Sequence, residues 1–92
     1  MELIKVSANS RTSAVAGAIA GVIRDHRHAE VQMIGAAAVN QAIKAMVLAS
    51  QYLREEGIHI AFTPTFVDIA INDNVKTGIK LIIDPLQGSS GE

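Results

Sequence analysis

Leu3, Ile4 and Val6 surround Lys5 at the start of the chain, the spacing of a short strand over residues 2–6. The run Ser7-Ala8-Asn9-Ser10-Arg11-Thr12-Ser13 is rich in hydroxyls and amides. It predicts a turn entering a helix, because such side chains accept hydrogen bonds from the free N–H groups of a first helical turn. Val15, Ile19, Val22 and Ile23 then recur at helical spacing, one stripe of an amphipathic helix over residues 12–27. Gly17 and Gly21 lie on another strip of that helix. Each costs about 1 kcal/mol against alanine, so close approach of a second backbone is the expected compensation.

Residues 29–34 read as a second short strand that Gly35 ends. A long alanine-rich helix over residues 36–55 follows, and Gly57 stands where a left-handed cap is expected. Val39, Ile43, Met46, Val47 and Leu53 form its apolar stripe, expected to face the core. Ala38, Ala42, Ala45 and Ala49 make a second, flat strip beside it.

Ile58, Ile60 and Phe62 alternate with polar or small residues, as in a half-buried strand. After Pro64 the phase changes to Val67, Ile69 and Ile71, which predicts a bulge or a strong bend at the proline. Asn72-Asp73-Asn74 is a hairpin turn, and residues 75–84 return with Ile79, Leu81 and Ile83 on one face and Lys76 and Lys80 on the other.

The order is therefore β-α-β-α-β-β. It predicts an α/β protein of the α+β two-layer sandwich type, with two helices on one face of a four-stranded mixed sheet and an open, wetter second face. Strands one to three are expected to run parallel through right-handed crossovers, with the fourth antiparallel. Residues 1–86 form one domain, and residues 87–92 read as a flexible tail.

Composition narrows the function. Only Tyr52, Phe62 and Phe66 are aromatic, so the core is aliphatic. The absence of cysteine excludes disulfides and thiolate metal sites and makes the cytoplasm the expected compartment. The start of the chain lacks a signal sequence's apolar stretch, and no apolar run approaches the roughly 20 residues that span a bilayer. A net charge of −1 is not the signature of a strongly basic nucleic-acid-binding domain, so any such role relies on local clustering of cations or on an assembly.

Candidate chemistry is sparse. Asp25, Glu30, Glu55, Glu56, Asp68 and Asp84 are scattered over element ends without the pairing that acid–base catalysis needs. His26 and His28 flank Arg27 at the end of the first helix and read, like His59, as surface residues; a metal site needs a third ligand. Gly17-x-x-x-Gly21 lacks the lysine and strand–turn context of a phosphate loop. No enzyme, metal, cofactor, membrane partner or small-molecule substrate is expected. The two helix starts are the best anion sites, with Ser7, Asn9, Ser10, Arg11 and Thr12 at the first and Gly35 and Ala36 at the second. Lys5, Lys76 and Lys80 are expected to share the open sheet face.

Four stretches, Leu3–Ser7, Ser13–Val22, Glu30–Ala45 and Ile58–Pro85, resemble the stage V sporulation protein S family over nearly the whole chain. The resemblance implies a small, non-catalytic regulatory protein of spore development, or of a more general bacterial role. A more distant resemblance, through the element order and Val39-Asn40-Gln41-Ala42-Ile43, is to Alba, the archaeal chromatin and RNA-binding protein. It implies an Alba-like homodimer gripping DNA or RNA with the two helix starts and a hairpin arm. Here the basic residues of those helix starts are replaced by the Ser7–Ser10 turn with Arg11, and by the uncharged Gly35–Ala38.

Two functions follow as expectations. One is a nucleic-acid-binding regulator contacting phosphates through Lys5, Ser7, Asn9, Ser10, Arg11, Lys44, Lys76 and Lys80. The other is a protein–protein interaction module or scaffold, in development or cell-division regulation, that uses the flat alanine and glycine strips.

Overall fold

The structure, a computed structural model, describes residues 3–86; Glu2 of the first expected strand and the expected tail at 87–92 lie outside the described residues. The elements are β1 (Leu3–Val6), α1 (Thr12–His26), β2 (Ala29–Met33), α2 (Ala36–Arg54), β3 (Ile60–Ile71) and β4 (Asn74–Pro85). They form a two-layer α+β fold whose four-stranded sheet has the order β1-β2-β4-β3. β1 and β2 are parallel, and β4 lies antiparallel between β2 and β3. β3 runs in the same direction as β1 and β2, as expected, but lies at the far edge with the antiparallel β4 between it and them.

Local chemistry explains the helix ends. α1 stops at Arg27, which takes a left-handed conformation (φ 58°) while its N–H donates to the Ile23 carbonyl. α2 stops in a Schellman turn, in which Ile58 N–H donates to Leu53 O and Gly57 N–H to Arg54 O. Gly57 supplies the positive φ of 78° that this turn requires. Leu53 and Ile58 are both buried and close the apolar contact beneath it.

The expected stripe of α1 faces inward, with Val15, Ile19, Val22 and Ile23 all buried. On α2 the buried face is shifted from the expected stripe toward the alanine strip: Met46 and Leu53 are buried and Val39 packs against the core as expected, but Ile43 and Val47 are not buried. Ala38, Ala42, Ala45 and Ala49 are buried with Met46 and Leu53, whereas Ile43 and Val47 are 38 % and 53 % exposed. Ala16 and Ala20 of α1 are buried as well. Small side chains let α1, α2 and the sheet approach closely, and this close packing leaves Ile43 and Val47 outside. The alanine strip is consequently a core surface and is not free for a partner.

Gly17 and Gly21 also depart from expectation. A Cβ built at either position meets nothing within 4 Å, so no second backbone approaches them. The close approach occurs at Gly78 in β4. A Cβ there would lie 2.7 Å from both Met33 O and Ile69 Cδ1, and 3.0 Å from Ile34 Cγ1.

The phase change in β3 has no bulge behind it. Pairing with β4 runs without interruption from Ile60↔Pro85 to Ile71↔Asn74. Near the start of β3, even-numbered residues share the helix-side face, because Phe62 pairs with the buried Ile83. β2 pairs with β4 only from Met33↔Ile79 to Ala29↔Ile83, so the hairpin beyond Gly78 leaves the sheet as an arm. There the odd-numbered Val67 and Ile69 become the half-buried residues, on the open-face side. The apolar residues exchange faces because their packing partners do. Asn72 and Asp73 close the arm with φ of 49° and 66°, the two positive values of a type I′ hairpin turn.

Candidate functional site

β1 and β2 end side by side at Val6 and Met33, and each leads directly toward a helix start. The arm projects from this same end of the sheet, because Met33 pairs with Ile79 and the arm begins at Gly78. The β1–α1 turn, the start of α2 and the hairpin arm are therefore gathered at one end of a molecule measuring 47 × 22 × 18 Å.

The β1–α1 turn is held by its own hydroxyls. Ser7 N–H donates to Ser10 Oγ at 2.9 Å, Ser10 N–H to Ser7 O at 3.1 Å, and Asn9 N–H to Ser7 Oγ at 3.3 Å. The expected capping of α1 by these side chains does not occur: Arg11 is the N-cap and makes no side-chain cap bond. Their hydroxyls are consumed in closing the turn, which leaves the first helical amides uncapped by side chains. Gly35 precedes α2 and likewise supplies no side-chain cap. Gln41 ties α2 to the start of α1, its Nε2 donating to Ser10 O at 2.8 Å and Thr12 Oγ1 at 3.3 Å.

Lys5, Gln32, Lys80 and Thr65 form one row across the four strands on the open face. Lys76 has the same parity further out on the arm, opposite Ile69. Lys80 is ion-paired, its Nζ 3.3 Å from Glu30 Oε1. Ser7, Asn9, Ser10 and Arg11 occupy the adjoining end of the molecule. Lys44 is exposed on α2, in the helix layer on the other side of the sheet from Lys5, Lys76 and Lys80.

Between the β1–α1 turn and the arm runs a groove of about 390 Å³. Lys5, Ser7, Ala8 and Gln32 line one side and Ile69 and Ile71 the other. Gln32 is absent from the site residues expected from the sequence, because a polar residue in a short strand signals only an open sheet face. The groove exists only because the arm stands beside the ends of β1 and β2.

A second cluster was also illegible in the sequence. His28 Nδ1 lies 2.6 Å from Asp84 Oδ1, and Nε2 lies 3.0 Å from Glu30 Oε2. Carboxylates only accept, and neutral imidazole has one N–H, so both bonds together require the imidazolium. The hydrogen bonds to Glu30 and then Asp84 hold the His28 pKa above its usual value. His28 and Lys80 hold the Glu30 carboxyl below the usual carboxylate range. With both ring nitrogens engaged by different carboxylates, the histidine acts as a clamp joining β2 to β4. On the helix side Arg24 makes a bidentate pair with Glu56, donating from Nε at 3.0 Å to Oε1 and from Nη2 at 2.7 Å to Oε2.

Among the described residues no helix is long and apolar enough to cross a membrane. The family model for stage V sporulation protein S matches residues 2–86, the whole of the fold just described. This chain therefore belongs to the stage V sporulation protein S family and is a small sporulation regulatory protein.

Proposed function

We propose that this regulator works by binding nucleic acid as a homodimer, without catalysing a reaction. The observation that carries the reading is the convergence of Lys5, the Ser7–Arg11 turn and the hairpin arm with Lys76 at one end of the sheet. The uncapped amides and Arg11 supply phosphate donors, and the arm supplies reach along a strand. Few cations are available, so binding is expected to be weak and strongly salt-dependent for each copy. A second copy doubles the cations presented by one assembly.

An apolar face supports pairing with that second copy. The helices contact β1 and β2, while β3 at the far edge lacks comparable cover on its helix side. Phe62 and Phe66 are 39 % and 80 % exposed there, beside exposed Ile43 and Val47 of α2. Arg54 lies at one end of the α2–β3 groove, with its guanidinium bonded only to Ser50 among the described contacts, and Asp68 lies toward the other end on the same face of β3. A two-fold axis across this face would set Arg54 of each copy toward Asp68 of the other, an opposite-charge pairing that suits a symmetric contact.

The test is anisotropy with single- and double-stranded oligonucleotides at two salt concentrations, alongside light scattering. Binding at low salt that weakens in Arg11→Ala and Lys76→Ala is the expected result. Absence of binding at low salt removes the nucleic-acid reading. Val47→Asp is expected to yield a folded monomer; an unchanged mass removes this interface. A protein–protein module remains the second reading, favoured by the same apolar face. A partner recovered from extract after nuclease treatment, and lost in Val47→Asp, would support it.

A further inference from the structure

We infer that the groove between the β1–α1 turn and the hairpin arm receives an unpaired base of a single-stranded nucleic acid. This deepens the nucleic-acid reading and rests on it. Gln32 is half-buried on the sheet face that forms the groove. Its carboxamide has no hydrogen-bond partner among the described residues, unlike Gln41, which has two. A half-buried amide in this state presents a donor and an acceptor side by side, the pair that reads a base edge.

The surroundings select the same ligand. The wall opposite is Ile69 and Ile71, an apolar surface for the face of a planar ring. Lys5 stands in the same row as Gln32, makes no ion pair among the described residues, and is placed for a phosphate. No carboxylate occurs among the described residues lining the groove, in contrast to the His28–Glu30–Asp84 cluster at the other end of β2. The volume is at the lower end of the range for small-ligand sites, enough for a nucleotide.

Duplex presents its base edges inside its own grooves, which admit a helix, a ribbon or a long side chain. Gln32 lies within a concave groove and does not project, so stacked and paired bases cannot reach it. A single strand with splayed bases can. Gly78 keeps the groove in shape, because any side chain there would push Ile69 out of its position.

The experiment compares fluorescein-labelled single-stranded DNA, the same sequence as RNA, and the DNA duplex, each by anisotropy at low and high salt. The single strands are expected to bind on the order of tenfold more tightly than the duplex. Gln32→Leu is expected to lose that preference while duplex binding and the salt slope stay unchanged. Gln32→Glu, which preserves size, is expected to weaken single-strand binding further by repelling phosphate. Lys5→Ala is expected to lower the salt slope by about one for every ligand. Circular dichroism melts confirm that each variant folds. Equal affinity for single strand and duplex, or indifference of the single strand to both Gln32 variants, overturns this inference and leaves the nucleic-acid reading standing. Absence of binding to all three probes at low salt overturns both.

Discussion

The half of the molecule built on β1 and β2 and the half built on the β3–β4 hairpin handle apolar surface in opposite ways. In the first, alanines of α1 and α2 are fully buried and the helices sit close upon the sheet. In the second, Leu81 and Ile83 of β4 reach the core, but Phe62, Phe66 and Val75 remain exposed along the hairpin. Hydrophobicity alone does not decide burial. Where α1, α2 and the sheet meet at short range, alanines fill the contact, while Ile43, Val47, Phe62 and Phe66 fall where cover is thin. The covered half closes its apolar surface within one chain, whereas the hairpin half leaves Phe66 80 % and Val75 70 % exposed.

The sharpest break in this comparison is at Gly78, where the halves join. Gly78→Ala forces a Cβ against the Met33 carbonyl and Ile69, and is expected to destabilise the fold by about 3 kcal/mol in denaturant titrations. Unchanged stability would mean that the arm is not packed against the end of β2. Next comes the contrast between neighbouring positions of α2. Ala45→Leu overpacks the helix interface and is expected to cost about 2 kcal/mol. Ile43→Ala, on the exposed face, should move the stability of the monomer by only about 0.5 kcal/mol. Equal costs for the two would return the alanine strip to the surface. Gly17→Ala and Gly21→Ala each add a Cβ into open space and are expected to stabilise by about 1 kcal/mol, read as a raised melting temperature.

The smallest effect concerns the clamp that joins the halves through β2 and β4. The His28 pKa is raised in the folded chain, so its contribution is complete below the unfolded value of about 6.5 and fades as pH rises through the folded value. The Glu30 pKa is lowered, so its contribution is present above about 4.3 and is lost as pH falls through the folded value. The cluster therefore stabilises most in weakly acidic solution. Melting His28→Gln and the parent chain across pH should show the parent's advantage shrinking above neutrality. An advantage independent of pH would exclude the imidazolium.

Much of the fold was legible because it is local. The stripe Val15, Ile19, Val22 and Ile23, the Gly57 cap, and the Asn72-Asp73 turn each follow from spacing or from backbone preference, and each occurs as expected. The candidate site was legible only in pieces. Lys5, Ser7 and Lys76 could be named, but Gln32 and the His28–Glu30–Asp84 cluster are brought together by pairings distant in sequence.

By itself the amino-acid order determined six elements, their types, and the alternation that gives each strand two unlike faces. Which stripe of α2 turns inward, which strand lies at the edge, and why the apolar phase of β3 reverses were decided only by the assembled fold. Periodicity reports that a helix or strand has two sides; the distance at which neighbours can pack selects the buried one.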